Sequence, residues 1–307
     1  MGDDYVFPHR HILGLAEMRP EDISHLLALG HSFKEISSRA IKKVPTLRGK
    51  TVINLFFEPS TRTRLSFEIA AKRMSADTFN ISASTSSAVK GETLLDTARN
   101  IEAMNPDIII VRHNASGAPH MLAKICRAAV INAGDGTHEH PSQGLLDLLT
   151  VQEKKGSLAG LQVAIIGDIS HSRVAHSNII GFTKMGAHVR VSGPATMVPP
   201  EIEQLGAKRC PSVAEAVEGA DVVMALRIQL ERQHDPLLPT LREYSRFYGI
   251  NRALLERTAD GALLMHPGPV NWGVELCDDV RNWPGEVIMD QVTNGVAIRM
   301  ALLYALQ

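Results

Sequence analysis

Residues 58–64 read Glu-Pro-Ser-Thr-Arg-Thr-Arg and stand between two different patterns. An apolar run ends at Phe57 in front of them, and apolar residues at helical spacing follow at Leu65, Ile69 and Met74. The pattern predicts a strand, a tight turn and the start of a helix. Because the first amides of a helix have no partner within it and lie at the positive end of its dipole, this junction is suited to bind an anion.

Side-chain donors in the same segment strengthen the prediction of an anion site. Ser60, Thr61, Arg62 and Thr63 supply hydroxyl and guanidinium groups. Helix capping is the structural alternative, and we expect Ser60 or Thr61 to cap the helix as well. Capping does not explain Arg62 and Arg64, since cations in a first turn oppose the dipole. A bound phosphate group explains the hydroxyls and the arginines together.

The elements that position this segment follow from hydrophobic periodicity. Short apolar runs rich in β-branched residues, typical of strands buried on both faces of a parallel sheet, occur at 51–57, 107–111, 129–132, 161–168, 187–193, 221–226 and 262–265. Helical patterns occur at 19–36, 142–155, 173–185 and 291–306. This alternation predicts an α/β protein with right-handed crossovers, in which ligands bind beyond the carboxyl ends of the strands.

The strands fall into an early and a late group, which predicts two domains. Each is expected to be a mostly parallel sheet flanked by helices, with the active site in the cleft between them. We place the first domain at residues 1–141 and the second at 142–290, with a last helix at 291–307 packing back on the first.

Composition excludes several classes of protein. The 307 residues include 32 Lys and Arg against 33 Asp and Glu, a formal net charge of -1, which excludes a chain that is basic overall and binds nucleic acid. No apolar run is long enough for a membrane span, and the first residues do not form a leader pattern, so we expect a soluble, unprocessed chain. The 3 cysteines have no disulfide or zinc spacing, so we expect all of them to be buried and the chain to be cytoplasmic.

The sequence favours no cofactor and no metal ion. The turn after the run at 161–168 lacks the Gly-x-Gly-x-x-Gly pattern of a dinucleotide site. The nearest histidine clusters are His138 with His140 and His171 with His176, and neither has the His-Glu-x-x-His spacing of a helical zinc site. His140 is interpreted as a hydrogen-bond donor, and the other histidines as surface or capping groups.

Seven motifs in order along nearly the whole chain resemble the aspartate and ornithine carbamoyltransferases. They lie at 57–68, 89–93, 111–113, 132–136, 140–143, 226–232 and 266–269. The resemblance implies that a carbamoyl group passes from carbamoyl phosphate to an amino acid. It also implies a homotrimer with shared active sites.

The resemblance assigns roles to individual residues. The residues that it implies for carbamoyl phosphate are Ser60, Thr61, Arg62, Thr63, Arg112, His140, Gln143, Pro267, Gly268 and Pro269. Within this set, Thr63, Arg112 and His140 are expected to surround the carbonyl oxygen, where negative charge develops in the transition state. Gln143 and the backbone carbonyls of the 267–268 segment are expected to accept from the amide group.

Two further residues are implied to reach the site from a neighbouring subunit. Ser86 is matched to carbamoyl phosphate and Lys90 to both catalysis and aspartate binding. They lie in the segment Ser-Ala-Ser-Thr-Ser-Ser-Ala-Val-Lys-Gly at 82–91, whose composition alone is typical of an ordinary surface loop. The trimer prediction depends on this match.

The second substrate follows from Arg173, Arg227 and Gln229. Two guanidinium groups suit an amino acid with two carboxylates, which favours L-aspartate as the acceptor over ornithine. The product would be N-carbamoyl-L-aspartate, used in pyrimidine biosynthesis. Arg64 and Arg232 are interpreted as structural.

Alternative functions stay open at this point. The alternatives are a transcarbamylase for another amino acid and a non-catalytic assembly subunit. A regulatory chain or a dihydroorotase is also left open as a partner. One residue departs from the pattern, since Trp272 stands where relatives with this loop usually have arginine.

Overall fold

The computed structural model describes residues 5–82, 92–229 and 240–307. The chain forms two compact units. Unit 1 comprises Met1–Leu149 and Thr293–Gln307, and unit 2 comprises Thr150–Val292. The division of function at residues 141 and 142 stays a prediction.

Unit 1 is built on a parallel sheet with four strands among the described residues, in the order β2-β1-β3-β4. Its elements are α1 (Pro20–Ser38), β1 (Thr51–Phe56), α2 (Thr61–Arg73), β2 (Asp77–Ser82), α3 (Leu94–Glu102), β3 (Ile108–His113), α4 (Ala118–Ile125), β4 (Ala129–Asp135) and the start of α5 (Pro141–Lys155). The inner strands are buried almost throughout, and side chains such as Leu55, Ile109 and Val130 form a core with α3 and α4.

Unit 2 has a parallel sheet with five strands among the described residues, in the order β7-β6-β5-β8-β9. Its elements are β5 (Gln162–Ile166), α6 (Arg173–Lys184), β6 (His188–Ser192), β7 (Ala207–Arg209), α7 (Val213–Val217), β8 (Val222–Ala225), α8 (Leu241–Tyr248), α9 (Arg252–Leu255), β9 (Leu263–Met265) and the start of α10 (Ile288–Ala305). No helix in the described part of the chain is long and apolar enough to cross a membrane.

The predicted α/β class and the seven apolar strands are confirmed, and two strands were missed. Both missed strands, β2 and β7, lie at sheet edges. Unlike the edge strands β4 and β9, which are buried throughout, β2 and β7 are partly exposed, so their sequences lack the continuous apolar run that marks a buried strand. Phe79 of β2, for example, is 57% exposed.

The C-terminal half of α10 packs within unit 1. The Arg299 Nη1 atom donates to Ser66 Oγ at 2.8 Å, and its guanidinium lies 5.1 Å from the centre of the Phe67 ring. Ile298 lies so close to Gly30 that a Cβ there would come within 2.8 Å of it. Burial lowers the pKa of Arg299 to about 9. A buried, hydrogen-bonded cation thus joins α10 to α2.

Trp272 is integrated into unit 2 by packing. Its ring lies 4.3 Å from the Arg281 guanidinium and contacts the apolar core around β5, β8 and β9. Nearby, Cys277 is half-buried, so the expectation that all three cysteines are buried holds only for Cys126 and Cys210. The tryptophan therefore contributes a cation-π contact and apolar packing to this loop.

We expect Trp272→Arg to lower the free energy of unfolding by about 1–3 kcal/mol, because it loses apolar packing and places a second guanidinium beside Arg281. Trp272→Phe is the matched control, since it keeps an aromatic face over Arg281 and should lose less. Urea unfolding of the three proteins measures the difference. A Trp272→Arg protein as stable as the parent would show that the stacking contributes nothing.

Candidate functional site

In each unit, the predicted site residues follow three neighbouring strands. In unit 1 the adjacent strands β1, β3 and β4 are followed by or end in residues 57–63, 112–113 and 136–143. In unit 2 the adjacent strands β5, β8 and β9 lead into Arg173, into 227–229 and into 267–269. Since the strands within each sheet are parallel, each group gathers at one edge of its own sheet.

The first turn of α2 lacks a side-chain cap, as an anion site requires. Ser60 is the N-cap with extended backbone at φ -161°, but its side chain makes no capping hydrogen bond. The hydroxyl N-caps of α3, α6, α7 and α8 each accept from a first-turn amide. The expectation that Ser60 caps its helix is therefore wrong, and its hydroxyl is left for another partner. Thr61 and Arg62 are exposed, whereas Thr63 is only 8% exposed.

Arg112 joins the ends of the three strands in unit 1. Its Nη2 atom donates to Glu58 Oε1 at 3.1 Å, and its Nη1 atom donates to the Ala133 carbonyl at 3.3 Å. The side chain is 12% exposed. Glu58 follows β1 and Ala133 lies in β4, so the guanidinium of β3 is held at the centre of the edge. A partly buried cation in this position attracts an anion strongly, because water screens it little.

The loop that carries His140 is fixed by a buried carboxylate. Asp135 is fully buried and accepts from Gly117 N at 2.7 Å, Asn132 Nδ2 at 2.7 Å and Glu139 N at 3.2 Å. His138 Nδ1 donates to the same group at 3.2 Å. Burial alone would raise the pKa of Asp135, but these hydrogen bonds outweigh it and lower the pKa below its usual value.

Glu139 supports this loop from the other side, and sequence reasoning missed it. Its carboxylate accepts from Leu15 N at 2.8 Å and Ala16 N at 3.2 Å, and it is 1% exposed. A Cβ at Gly14 would lie 2.3 Å from Glu139 Oε1, so the approach requires glycine. An acidic residue directly before a site histidine was the available signal, but its partners are more than 120 positions away.

His140 and Gln143 open α5. His140 is 4% exposed, and its Nδ1 atom lies 3.5 Å from Ser142 Oγ. Gln143 Nε2 donates to Asp147 Oδ1 at 3.0 Å. This bond uses the donor end of the amide and leaves Oε1 as an acceptor, which suits the predicted contact with an NH2 group.

In unit 2 a second buried carboxylate organises the edge. Asp168 Oδ1 accepts from His171 Nδ1 at 2.7 Å, and Oδ2 accepts from Gln229 N at 3.2 Å. Arg227 Nη2 donates to Gln229 Oε1 at 3.3 Å. Arg173 is the first residue of α6 and is 2% exposed. The loops after β5 and β8 are thereby joined; the first leads into Arg173, and the second carries Arg227.

Tyr244 lies beneath these loops and was also missed. It is fully buried, and among the described residues its hydroxyl has no hydrogen-bond partner. Burial raises the pKa of this phenol. A Cβ at Gly167, whose φ is +132°, would lie 2.9 Å from the hydroxyl. The tyrosine thus restricts the first residue after β5 to glycine.

The loop at 267–269 is held by buried groups rather than by solvent. His266 Nδ1 accepts from Gly268 N at 2.8 Å, so its Nε2 carries the proton and donates to Glu275 Oε1 at 3.1 Å. Glu275 Oε1 also accepts from Asn271 N at 2.7 Å. His266 is 1% exposed, so the interpretation of the remaining histidines as surface or capping groups is wrong here. The loop carries a cis peptide bond between Gly268 and Pro269.

Several predicted residues lie outside the described part of the chain. These are Ser86, Lys90 and Arg232. Arg64 is half-buried. Hydrogen bonds from Lys72 and Asn80 lower the pKa of Glu68, and the charge of Arg64 adds to this effect, which accords with a structural role.

The two edges belong to an α/β protein in which the predicted phosphate-binding residues lie in unit 1 and the two arginines predicted to bind carboxylates lie in unit 2. The same division is found in the family models that match the chain. Residues 10–153 match the model described as "Aspartate/ornithine carbamoyltransferase, carbamoyl-P binding domain". Residues 159–306 match "Aspartate/ornithine carbamoyltransferase, Asp/Orn binding domain".

Curated relatives and solved structures agree with these models. The aspartate carbamoyltransferase catalytic subunit of Desulfotalea psychrophila is 67% identical over 99% of this chain and 96% of its own length. The aspartate carbamoyltransferase catalytic subunit of Geobacter sulfurreducens is 64% identical over 97% of this chain and 96% of its own length. The aspartate transcarbamoylase of Trypanosoma cruzi, solved in complex with carbamoyl phosphate and aspartate, is 28% identical with a TM-score of 0.87, covering 96% of each chain. This protein belongs to the aspartate/ornithine carbamoyltransferase family.

We expect Asp135→Asn to lower the free energy of unfolding by about 2–4 kcal/mol, because it replaces one buried acceptor oxygen by an NH2 group that faces N–H donors. Asp278→Asn is the control, since that side chain is 72% exposed and paired with Arg281 at the surface, where an ion pair is worth about 0–1 kcal/mol. Denaturant unfolding compares both with the parent. Equal losses in the two variants would contradict the proposed importance of the buried network.

Proposed function

We propose that this protein transfers the carbamoyl group of carbamoyl phosphate to the amine of L-aspartate, giving N-carbamoyl-L-aspartate and phosphate for pyrimidine biosynthesis. The observation that carries this proposal is the uncapped first turn of α2 next to Arg112. The N-terminal amides of α2, the Ser60 hydroxyl, which makes no capping hydrogen bond, and a partly buried guanidinium together suit a phosphate group. The family and its curated relatives support the same activity.

The residues of unit 1 account for activation of the carbamoyl group. The phosphate is held by Ser60, Thr61, Arg62 and Thr63 with Arg112. Thr63, Arg112 and His140 donate to the carbonyl oxygen as the amine attacks, which stabilises the charge of the tetrahedral intermediate. The intermediate collapses and phosphate leaves, taking the proton of the amine. Gln143 Oε1 accepts from the carbamoyl NH2, and no covalent enzyme intermediate is required.

The residues of unit 2 account for the choice of acceptor. Arg173 binds the α-carboxylate of aspartate, and Arg227 with Gln229 binds the side-chain carboxylate. The buried Asp168 joins the loop that leads into Arg173 to the loop that carries Arg227 and Gln229. Ornithine, whose side chain is a cation, would face Arg227 and be repelled. A screen of amino acids with radiolabelled carbamoyl phosphate separates these acceptors, and turnover with ornithine but not aspartate would overturn the assignment.

We expect Thr63→Val to lower kcat by about 100- to 1,000-fold with little change in stability, because it removes one donor to the developing oxyanion. Thr97→Val is the matched control. Thr97 is also 8% exposed, and its hydroxyl has no hydrogen-bond partner among the described residues, so its removal should leave kcat unchanged. Steady-state kinetics measure both variants. Equal kcat values for Thr63→Val and the parent would exclude Thr63 from catalysis.

The working assembly we propose is a cytoplasmic homotrimer in which Ser86 and Lys90 of one subunit complete the site of its neighbour. Sequence resemblance supports this arrangement. The edge strand β2 also supports it, because Phe79 is 57% exposed there and an exposed strand edge readily associates with another chain. Whether a regulatory chain or a dihydroorotase joins the trimer is a separate question, answered by native mass measurement with each candidate.

If active sites are shared between subunits, two inactive variants should complement each other in mixed trimers. Lys90→Ala and Arg112→Ala should each be inactive alone, because each lacks one part of every site. If the two are unfolded, mixed in equal amounts and refolded, every mixed trimer has one site that takes Arg112 from one subunit and Lys90 from the next. Random mixing should then restore about one quarter of the parent activity. A mixture that stays as inactive as its components would contradict shared sites.

A further inference from the structure

His120, Asp135 and His138 form a cluster apart from the residues assigned to the substrates. His120 lies in α4, Asp135 ends β4, and His138 lies in the loop before α5. One nitrogen of each imidazole and one oxygen of Asp135 all lie within 4.8 Å of one another. The two rings are 5.4 Å apart and inclined at 68°. Small side-chain movements would bring the three atoms to the separations of a zinc site, where each ligand lies about 2.0–2.2 Å from the metal.

Hydrogen bonding leaves one imidazole nitrogen of this cluster unused. His120 Nε2 lies 3.2 Å from Glu17 Oε1 and therefore donates to it. His120 Nδ1 then carries a lone pair, and this buried atom has no hydrogen-bond partner among the described residues. A buried acceptor without a partner is unfavourable. A carboxylate on one ring nitrogen is also the usual support for a histidine whose other nitrogen binds a metal ion.

We propose that His120, Asp135 and His138 bind a zinc ion, with Glu17 orienting His120. Two imidazoles and a carboxylate are a ligand set that zinc accepts, with a water molecule at the fourth position. Magnesium and calcium prefer sets made of oxygen alone. The His120 and His138 side chains are 31% and 40% exposed, so the ion can enter from solvent.

The expected absence of a metal rested on the spacing of histidines along the chain. The fold instead brings together residues from α4, β4 and the following loop. Zinc at this position would join α4 to the loop at 136–140, which leads into His140. The ion would therefore stabilise the loop without contacting the reacting atoms, and the proposal is independent of the transferase activity.

Titration calorimetry of the full chain, first stripped with a chelator, tests the site with zinc chloride as the probe. We expect one zinc ion per chain for the parent. Glu17→Gln should weaken binding by about 10- to 100-fold, as for other orienting residues. His120→Gln and His138→Gln should weaken it further. His188→Gln removes an exposed histidine elsewhere and should bind zinc like the parent.

Two further readouts separate a site from histidines that bind metal individually. Cobalt substituted for zinc should give the strong visible absorption of a tetrahedral site in the parent, and that absorption should be lost in His138→Gln. Zinc should raise the Tm of the parent but not that of the double variant His120→Gln/His138→Gln, whose circular dichroism reports whether it is folded. Equal zinc affinity in the parent and the double variant, or no stoichiometric binding by the parent, would overturn the proposal.

Discussion

The buried carboxylate of Asp135 is the constraint on which the unit 1 site depends. It accepts hydrogen bonds from the start of α4, from Asn132 in β4 and from the loop that leads to His140. A charge removed from water is tolerated only when its hydrogen bonds are satisfied, so these segments can take few other arrangements. Glu139 extends the same restraint to the chain near Leu15. The position of His140 is therefore set by groups that never meet the substrate.

In the proposed function, both units bind an anion at the edge of a parallel sheet, but with different groups. Unit 1 uses the N-terminal amides of a helix without a side-chain cap, supplemented by a guanidinium that Glu58 holds in place. Unit 2 relies on arginine side chains, with Asp168 fixing the loops beneath them. Amides at a helix end suit a phosphate, whereas a planar guanidinium matches a carboxylate. The proposed division of substrates between the units rests on this difference.

Local sequence patterns predicted the helices and strands well, but they did not reveal the buried residues that hold the loops of the site in place. The central strands have continuous apolar runs, so β1, β3, β5 and β8 were found, whereas the half-exposed β2 was not. The junction before α2 was recognised because its donors are contiguous. The roles of Glu139, Tyr244 and His266 depend on partners distant in sequence or on burial, neither of which a local pattern contains. The prediction that Ser60 caps α2 was wrong because the preference of serine for the N-cap position does not ensure that its side chain makes the capping hydrogen bond.

The central claim is that the uncapped first turn of α2 binds the phosphate of carbamoyl phosphate. Amide NMR of the isotopically labelled protein during titration with carbamoyl phosphate tests this directly. The account predicts that the largest saturable shifts fall on the amides of residues 61–64, with a matching shift of the Arg112 side chain. Saturable binding that leaves these amides unmoved, with shifts at another edge, would contradict it.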